Sequence, residues 1–285
     1  MPQKKPTKKN KFKLFNFEKE GKGVEPNAPI GNPFKHFWEL YYRKLNKLTL
    51  LNIIYFFCVF PLISFLIINI FLLPQAEDQI QNMFNDPHPW LAIYGGFSYL
   101  FQNTATSILG YVLMIVSILA FGPLNCGYTY CLRAVVREEH FWFNDFFKRA
   151  WKNVKQGMVL GVLDIIIISG LILYYSMDSG DNTIFIMKCM ATIIFAVYLV
   201  MRPYMYTMAI MFKLSIVQII KNAYMFVIIG AKNNIASIVC SALLLTLLLF
   251  VIPLSYVVIP LGVFSITGLI SMYNIYPVIV KKMVK

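Results

Sequence analysis

The sequence predicts an all-α, polytopic membrane protein with six transmembrane helices, interfacial amphipathic helices and both termini in the cytoplasm. Apolar residues make up 58% of the 285 residues and charged residues only 14%, and the mean hydropathy is +0.63. A soluble domain is typically about 45–50% apolar, so a soluble fold of this length would lack the polar residues to cover its surface. The excess apolar surface is therefore predicted to face lipid.

Long apolar runs predict the six spans, because each is close to the roughly 20 residues that cross about 30 Å of hydrocarbon. Residues 235–280 contain no charged side chain. As one helix they would be about 69 Å long, so a turn flanked by Pro253 and Pro260 is predicted to divide them. The predicted membrane domain is 31–285, with spans at 50–73, 105–121 continuing as a kinked helix to 136, 158–175, 184–201, 235–252 and 257–280.

The distribution of positive residues predicts the orientation. All but one of the 26 Lys and Arg residues lie in four segments, residues 1–47, 133–155, 202–234 and 281–285. The exception is Lys188, predicted to snorkel outward from the fourth span. The intervening segments, residues 74–104 and 177–183, carry only acidic charges. Because positive segments stay on the cytoplasmic side, the pattern fits six passes through the cell membrane.

The formal net charge of +13 follows from this orientation. A basic chain can also indicate nucleic-acid binding, but here the positive residues occupy the segments that orientation requires, so nucleic acid is not a predicted partner. Residues 1–30, rich in Lys, Pro and Gly, are predicted to be a disordered cytoplasmic tail. The tail either contacts the anionic inner leaflet, at about 1 kcal/mol per nearby Lys or Arg, or stays solvated and only reinforces orientation.

Three amphipathic segments are predicted to be interfacial helices on the cytoplasmic side. The first directly precedes the first span and interleaves aromatic with charged residues at helical spacing. The second covers residues 137–157, where Asn144 or Asp145 is suited to cap the helix start. The third covers residues 213–230, with Ser215 as its cap. The second and third each separate two spans, which suggests a duplicated unit of helix, interfacial helix and helix.

Asp164 is the one acidic residue predicted deep within a span, about 10 Å past its cytoplasmic edge. An ionisable group at that depth is costly unless it is paired, hydrated or protonated, so it is predicted to face the bundle interior. It is a candidate functional residue, or else a packing acid that hydrogen-bonds to Asn, Ser or Thr. Asn125 is a second candidate, beside the helix kink predicted at Gly122 and Pro123.

Other residues in the predicted spans indicate helix packing rather than chemistry. Gly157 and Gly161 form a GxxxG step, which predicts the close approach of a second helix. Asn52, Asn274 and Thr246 are suited to polar contacts within the bundle.

No motif indicates catalysis, a cofactor or a metal, so the chain is not predicted to be an enzyme. The P-loop, HExxH, GxSxG and Gly-rich dinucleotide motifs are absent from the sequence. His36, His88 and His140 are predicted on opposite sides of the membrane and cannot form one metal site. The five cysteines form no CxxC pair and are interpreted as small apolar residues.

Three segments carry a resemblance to a known family. The first is NPFKHFWELYYRKLNKLTLLNIIYFFCVFPL, with Asn52 and Pro61, and a third, weaker segment contains Lys221, Asn222 and Ala223. The most specific is GPLNCGYTYCLRAVVREEHFWFNDFFKRAWKNVKQG, which matches at Gly122, Pro123, Gly127, Tyr130, Arg133, Arg137, Glu138, Glu139, His140, Asp145, Phe146, Lys155 and Gln156. On these residues the chain resembles the YesL family of bacterial membrane proteins, from about residue 31 to its end.

The chain departs from that family's pattern in two places: Leu62-Ile63-Ser64 stand where many members have a Thr-Ile-Gly turn, and Cys126 stands where a small Ala is more usual. The resemblance implies a protein associated with carbohydrate uptake, as a partner of a sugar ABC importer. We therefore expect an accessory membrane subunit that supports such an importer through its cytoplasmic helices. The expected docking residues are Arg133, Arg137, Glu138, Glu139, Asp145, Phe146 and Trp151. Two alternatives are a small-solute transporter that uses Asp164, and a membrane sensor that uses the acidic outer segment.

Overall fold

The computed structural model describes residues 32–67, 104–176, 182–250 and 262–284. Within these ranges the chain is helical, and none of the described residues forms a strand. The α-helices of the described part are α1 (Pro33–Ile67), α2 (Thr104–Val136), α3 (Phe143–Lys152), α4 (Val154–Ser176), α5 (Asn182–Met211), α6 (Ile216–Ile229), α7 (Ala231–Phe250) and α8 (Phe264–Ile279). A short π-helical segment, Val280–Val284, follows α8.

Four described helices contain a stretch long and apolar enough to cross a membrane: Pro33–Leu62, Met114–Val136, Val154–Leu171 and Ile186–Met211. Helices α6 and α7 together supply a fifth candidate, although they are bent by 86° at their junction. The chain is thus a helical protein with four to five candidate spans among its described residues. The predicted outer segment and the turn at Pro253 and Pro260 lie outside those residues.

Helix α2 is the centre of the bundle and packs most extensively against α4. Glycines make this approach possible, as the GxxxG step predicts. A Cβ atom added to Gly161 would lie 2.5 Å from the Gly122 Cα atom, and one added to Gly157 would lie 2.8 Å from the Pro123 nitrogen. Backbone therefore meets backbone at the crossing, where any side chain would force the helices apart.

Helix α1 corrects one prediction, because the aromatic segment before the first span is not a separate interfacial helix. The 35 residues of α1 form one uninterrupted helix, about 52 Å long at 1.5 Å per residue. Its first turns pack against α8 instead of lying alone in the interface: the Phe37 and Tyr273 ring centroids are 5.5 Å apart. Further along, Asn52 Oδ1 accepts hydrogen bonds from the backbone amide (2.7 Å) and hydroxyl (2.9 Å) of Ser265.

Helix α5 corrects a second prediction. Arg202, assigned from sequence to a cytoplasmic loop, lies within α5, which continues through Pro203 to Met211. Lys188, predicted to snorkel outward, is 7% exposed, and its Nζ atom donates to the Tyr175 carbonyl oxygen at 3.4 Å.

The short helices α3 and α6 each follow a long helix and precede another, in the order that the duplicated unit predicts. At the start of α6, the Gln218 backbone amide donates to Ser215 Oγ at 3.4 Å, and the Ser215 backbone amide donates to Gln218 Oε1 at 3.0 Å. Ser215 therefore caps the helix, as the sequence predicts. Helix α3 differs, because its N-cap is Trp142 and Asp145 is the third helical residue. The Asp145 carboxylate accepts from the Trp142 amide at 2.9 Å.

Candidate functional site: a buried polar centre and its cavity

Asp164 on α4 is fully buried and bonded by three side chains of α5. Arg202 Nε donates to Oδ2 at 2.8 Å, the Tyr206 hydroxyl donates to the same oxygen at 2.7 Å, and the Tyr198 hydroxyl donates to Oδ1. Both carboxylate oxygens are thus bonded. Asp164 does face the bundle interior, and its principal partner is a cation rather than the Asn, Ser or Thr considered from sequence.

The three donors share one face of α5 because they are four residues apart. Tyr198, Arg202 and Tyr206 recur at the i, i+4 spacing that aligns side chains along a helix. Arg202 also lies over the Tyr206 ring, with its guanidinium carbon 5.3 Å from the ring centroid. One helix face therefore supplies the whole set of groups that compensates the buried carboxylate.

Asn125 on α2 extends the network to a third and a fourth helix. Its Oδ1 atom accepts from Arg202 Nη2 at 3.0 Å and from the Tyr55 hydroxyl at 2.7 Å. Its Nδ2 atom donates to the Phe121 carbonyl oxygen at 2.9 Å, one residue before Gly122. The two candidate polar residues, Asp164 and Asn125, are thus held together by Arg202, in a network that links α1, α2, α4 and α5.

The hydrogen-bonded network described above is called the polar centre; its members are Tyr55, Asn125, Asp164, Tyr198, Arg202 and Tyr206. Its one negative side chain, Asp164, is balanced by its one positive side chain, Arg202. Asp164 is 0% exposed and the Arg202 side chain 26% exposed. Removing one partner of a buried ion pair leaves an uncompensated charge and typically costs about 3–5 kcal/mol. The pair is therefore a strong constraint on how α4 and α5 pack, and it holds the guanidinium in one position.

A cavity of about 350 Å³ adjoins the polar centre. Five helices contribute to it, and Arg202 is the one charged residue among the described residues that line it. Its lining combines hydroxyl and amide groups with aromatic faces: Tyr55, Asn125, Tyr128, Thr129, Arg202, Tyr206, Ser241, Phe264, Thr267 and Ser271. This arrangement can offer hydrogen bonds and ring faces to a small polar molecule inside the bundle.

The residues expected to dock a partner do not form one free surface. Phe146 is 0% exposed and packs against α2, so it is a core residue. Glu138 pairs with Arg43 Nη2 at 2.6 Å, and Glu139 pairs with Arg137 at 2.9 Å. Asp145 is the capping carboxylate of α3.

The two remaining residues of that set are Trp151, near the end of α3, and Arg133, near the end of α2. Trp151 is 80% exposed and is the most open large apolar side chain in the described part. The Arg133 guanidinium lies over the Tyr130 ring, 5.3 Å from its centroid. Of the predicted docking residues, Trp151 is therefore the one whose apolar surface is available.

Glu138 also has an unusual backbone. Its φ angle is 57°, in the left-handed region that favours glycine. The Glu138 amide donates to the Val135 carbonyl oxygen and the Glu139 amide to that of Ala134, both at 2.9 Å. These two bonds form a Schellman motif that ends α2, with Glu138 at the position where glycine is usual. At this strained position the Glu138 carboxylate forms the ion pair with Arg43.

Within the described residues, no group of three or more His, Cys, Asp or Glu side chains is placed to hold a metal ion. Comparison of the chain with protein-family models, with curated proteins and with solved structures finds no match.

Proposed function

We propose that this chain is a multi-pass membrane protein that binds a small, neutral, hydroxyl-rich solute in the cavity beside Arg202. One observation carries the proposal: a cavity of about 350 Å³ between apolar helices is lined by hydroxyl, amide and guanidinium groups together with apolar side chains such as Leu132, Leu199 and Met272. Polar groups inside a membrane bundle are costly and commonly mark solute pathways. The volume lies at the lower end of the roughly 300–1,000 Å³ that ligand pockets span.

The charge balance supports a neutral solute. Asp164 already compensates Arg202, the one charged residue among the described residues that line the cavity. An ionic solute would bring a charge without a partner into a region of low dielectric, which is strongly unfavourable. A neutral polyol or sugar would bring no unpaired charge, could hydrogen-bond to the hydroxyl and amide groups of the lining, and could stack on its aromatic rings.

Asp164 has a positioning role in this proposal and is not a coupling residue. Its two oxygens accept three hydrogen bonds, so a proton or sodium ion would first have to displace Arg202 or a tyrosine. The carboxylate holds the guanidinium at the cavity wall. The transporter hypothesis is therefore kept, but its solute-binding residues are Asn125 and Arg202.

Thermal unfolding of the purified chain tests solute binding. The probes are neutral monosaccharides, disaccharides and polyols, compared with sugar phosphates and amino sugars of similar size. We expect a neutral probe to raise the midpoint temperature of unfolding, since a ligand that binds only the folded state stabilises that state. Ser271→Leu, which fills the cavity, should remove the shift. Thr246→Leu on the exposed side of α7 is the matched control and should keep it. Equal shifts from charged probes, or a full shift in Ser271→Leu, would refute the proposal.

Six spans with both termini in the cytoplasm, in the cell membrane, are the topology we propose for this function. The positive-inside distribution supports it. The four to five candidate spans of the described residues are compatible with it, and the additional span would include residues outside them.

A second candidate function is an accessory subunit of a carbohydrate ABC importer, as the resemblance to the YesL family implies. The exposure of Trp151, at 80%, favours it, because a large open tryptophan beside lysines can anchor a protein partner. Co-purification from native membranes in mild detergent tests this function. Trp151→Ser should lose importer subunits, whereas Tyr42→Ser, which is 69% exposed on α1, should retain them. Recovery of the unmodified chain without importer subunits would exclude the docking function.

A further inference from the structure

Arg133 and Arg149 form an arginine pair where α3 packs against the end of α2. Both guanidinium groups lie on the Tyr130 ring, with their central carbons 5.3 Å and 4.5 Å from its centroid. Two positive groups held around one ring repel each other unless an anion lies nearby. Cation–π contact with the ring offsets only part of this repulsion.

The neighbouring carboxylates do not supply that anion. Glu138 pairs with Arg43, Glu139 pairs with Arg137, and Asp145 accepts from the Trp142 amide. Among the described residues, no ion pair joins Arg133 or Arg149 to a carboxylate. The Arg133 Nε atom is buried without a hydrogen-bond partner in the described part of the chain. The arginine pair is thus an uncompensated positive site.

The surroundings of the pair place it at a membrane interface. Helix α3 exposes Phe147 and Trp151, at 49% and 80%, beside the exposed lysines Lys148 and Lys152. Open aromatic side chains next to lysines on a short amphipathic helix are typical of the headgroup region. Lipid phosphate groups are the anions that such a headgroup region contains.

We propose that the arginine pair binds the phosphate group of an anionic phospholipid. The planar guanidinium fork matches the oxygens of a phosphate and can donate two parallel hydrogen bonds to it. An anionic lipid adds a net negative charge, whereas the ammonium group of phosphatidylcholine neutralises its own phosphate. The site is separate from the cavity beside Arg202, so this proposal does not depend on the solute-binding function.

Thermal unfolding of the full chain in lipid nanodiscs tests the proposal. One disc contains phosphatidylcholine alone, and in the other about a third of it is replaced by phosphatidylglycerol. We expect the anionic lipid to raise the midpoint by about 2–4 °C, the shift typical of 1 kcal/mol in a chain of about this size. Arg133→Gln/Arg149→Gln should remove the shift. Lys148→Gln/Lys152→Gln also removes two positive charges, both of them from α3, and should keep most of the shift.

An unchanged shift in the arginine variant, or an equal loss in the lysine variant, would overturn the proposal, because either result indicates general attraction to the basic surface. If the double arginine variant does not fold in phosphatidylcholine discs, the single variant Arg149→Gln is compared in the two kinds of disc instead. It should lose at least half of the increase in midpoint that phosphatidylglycerol causes. Glycerol 3-phosphate at millimolar concentration, added to the protein in detergent, supplies the phosphate without acyl chains. A shift as large as that of the lipid would assign the site to soluble phosphate esters and overturn the lipid proposal.

Discussion

Asp164 and Arg202 affect the stability of the fold as an ion pair, so the effect of changing one depends on the presence of the other. The Asp164 carboxylate is completely buried, while the Arg202 side chain is partly open to the cavity. We expect Asp164→Asn to lower the free energy of unfolding by about 3 kcal/mol, because it leaves the guanidinium without its counter-charge. The measurement is denaturant or thermal unfolding in detergent.

The matched variant is Asp164→Asn/Arg202→Gln, which removes both charges and should recover at least half of the lost free energy. A double variant no more stable than the single one would show that hydrogen bonds rather than charge balance hold the polar centre together.

Glu138 supplies a second prediction at the scale of one residue, because its backbone and side chain have opposite preferences. Its φ angle of 57° suits glycine, whereas its carboxylate pairs with Arg43. Glu138→Ala loses the ion pair and keeps the strained backbone, while Glu138→Gly loses the pair and relieves the strain. We expect the glycine variant to be about 1 kcal/mol more stable than the alanine variant in thermal unfolding. The opposite order would contradict the Schellman assignment.

Sequence reasoning located Asp164 and Asn125 but missed Arg202, and the reason is physical. Counting positive residues assigns each Lys or Arg to the cytoplasmic side, yet an arginine paired with a buried acid can remain inside the bundle. The available signal was the recurrence of Tyr198, Arg202 and Tyr206 at four-residue spacing, together with one unpaired acid in a neighbouring span. Docking residues such as Phe146 were misplaced because a motif does not reveal which side chains face the core.

At the scale of the helix, the crossing of α2 and α4 rests on glycine. A Cβ atom on Gly161 would meet the Gly122 backbone, whereas one on Gly170 has no neighbour within 4 Å. We therefore expect Gly161→Ala to destabilise the chain by at least about 2 kcal/mol, since helix backbones cannot yield as a flexible side chain can. Gly170→Ala is the control and should be neutral or stabilise by up to about 1 kcal/mol, the helix propensity gain. Equal unfolding midpoints for both variants would mean that α2 and α4 do not touch through Gly161.

The sequence predicted the presence of the helices more accurately than the residues at which they begin and end. The apolar runs and the Ser215 cap have local causes, so they are visible in short windows of sequence. The first turns of α1 pack on Tyr273, which is more than 200 residues away in the sequence. Arg202, within α5, likewise has its ion-pair partner, Asp164, in another helix. Tertiary partners of this kind leave no local pattern.

At the scale of the whole molecule, the proposed topology predicts which residues face the outside of the cell. Moving a positive side chain across the hydrocarbon core costs several kcal/mol, so segments dense in Lys and Arg are retained in the cytoplasm during insertion. Lys152, exposed on α3 among other basic residues, is expected inside, and Asp86, in a segment without Lys or Arg, is expected outside. Single cysteines at these positions, in a chain whose five native cysteines are replaced by Ala, distinguish the two sides.

A membrane-impermeant maleimide should label Asp86→Cys on intact cells, and Lys152→Cys only after permeabilisation. The cysteine-free chain is the background control, and equal labelling of both variants after permeabilisation shows that both thiols are reactive. Labelling of Lys152→Cys on intact cells would place α3 outside. The basic surface would then face the outer leaflet, and the cytoplasmic importer would lose access to Trp151. The six-span topology would also fail, because two spans before α3 would place the amino terminus outside the cell as well. Solute binding beside Arg202 would survive that result, because the cavity is defined by helix contacts and not by the direction in which the helices cross.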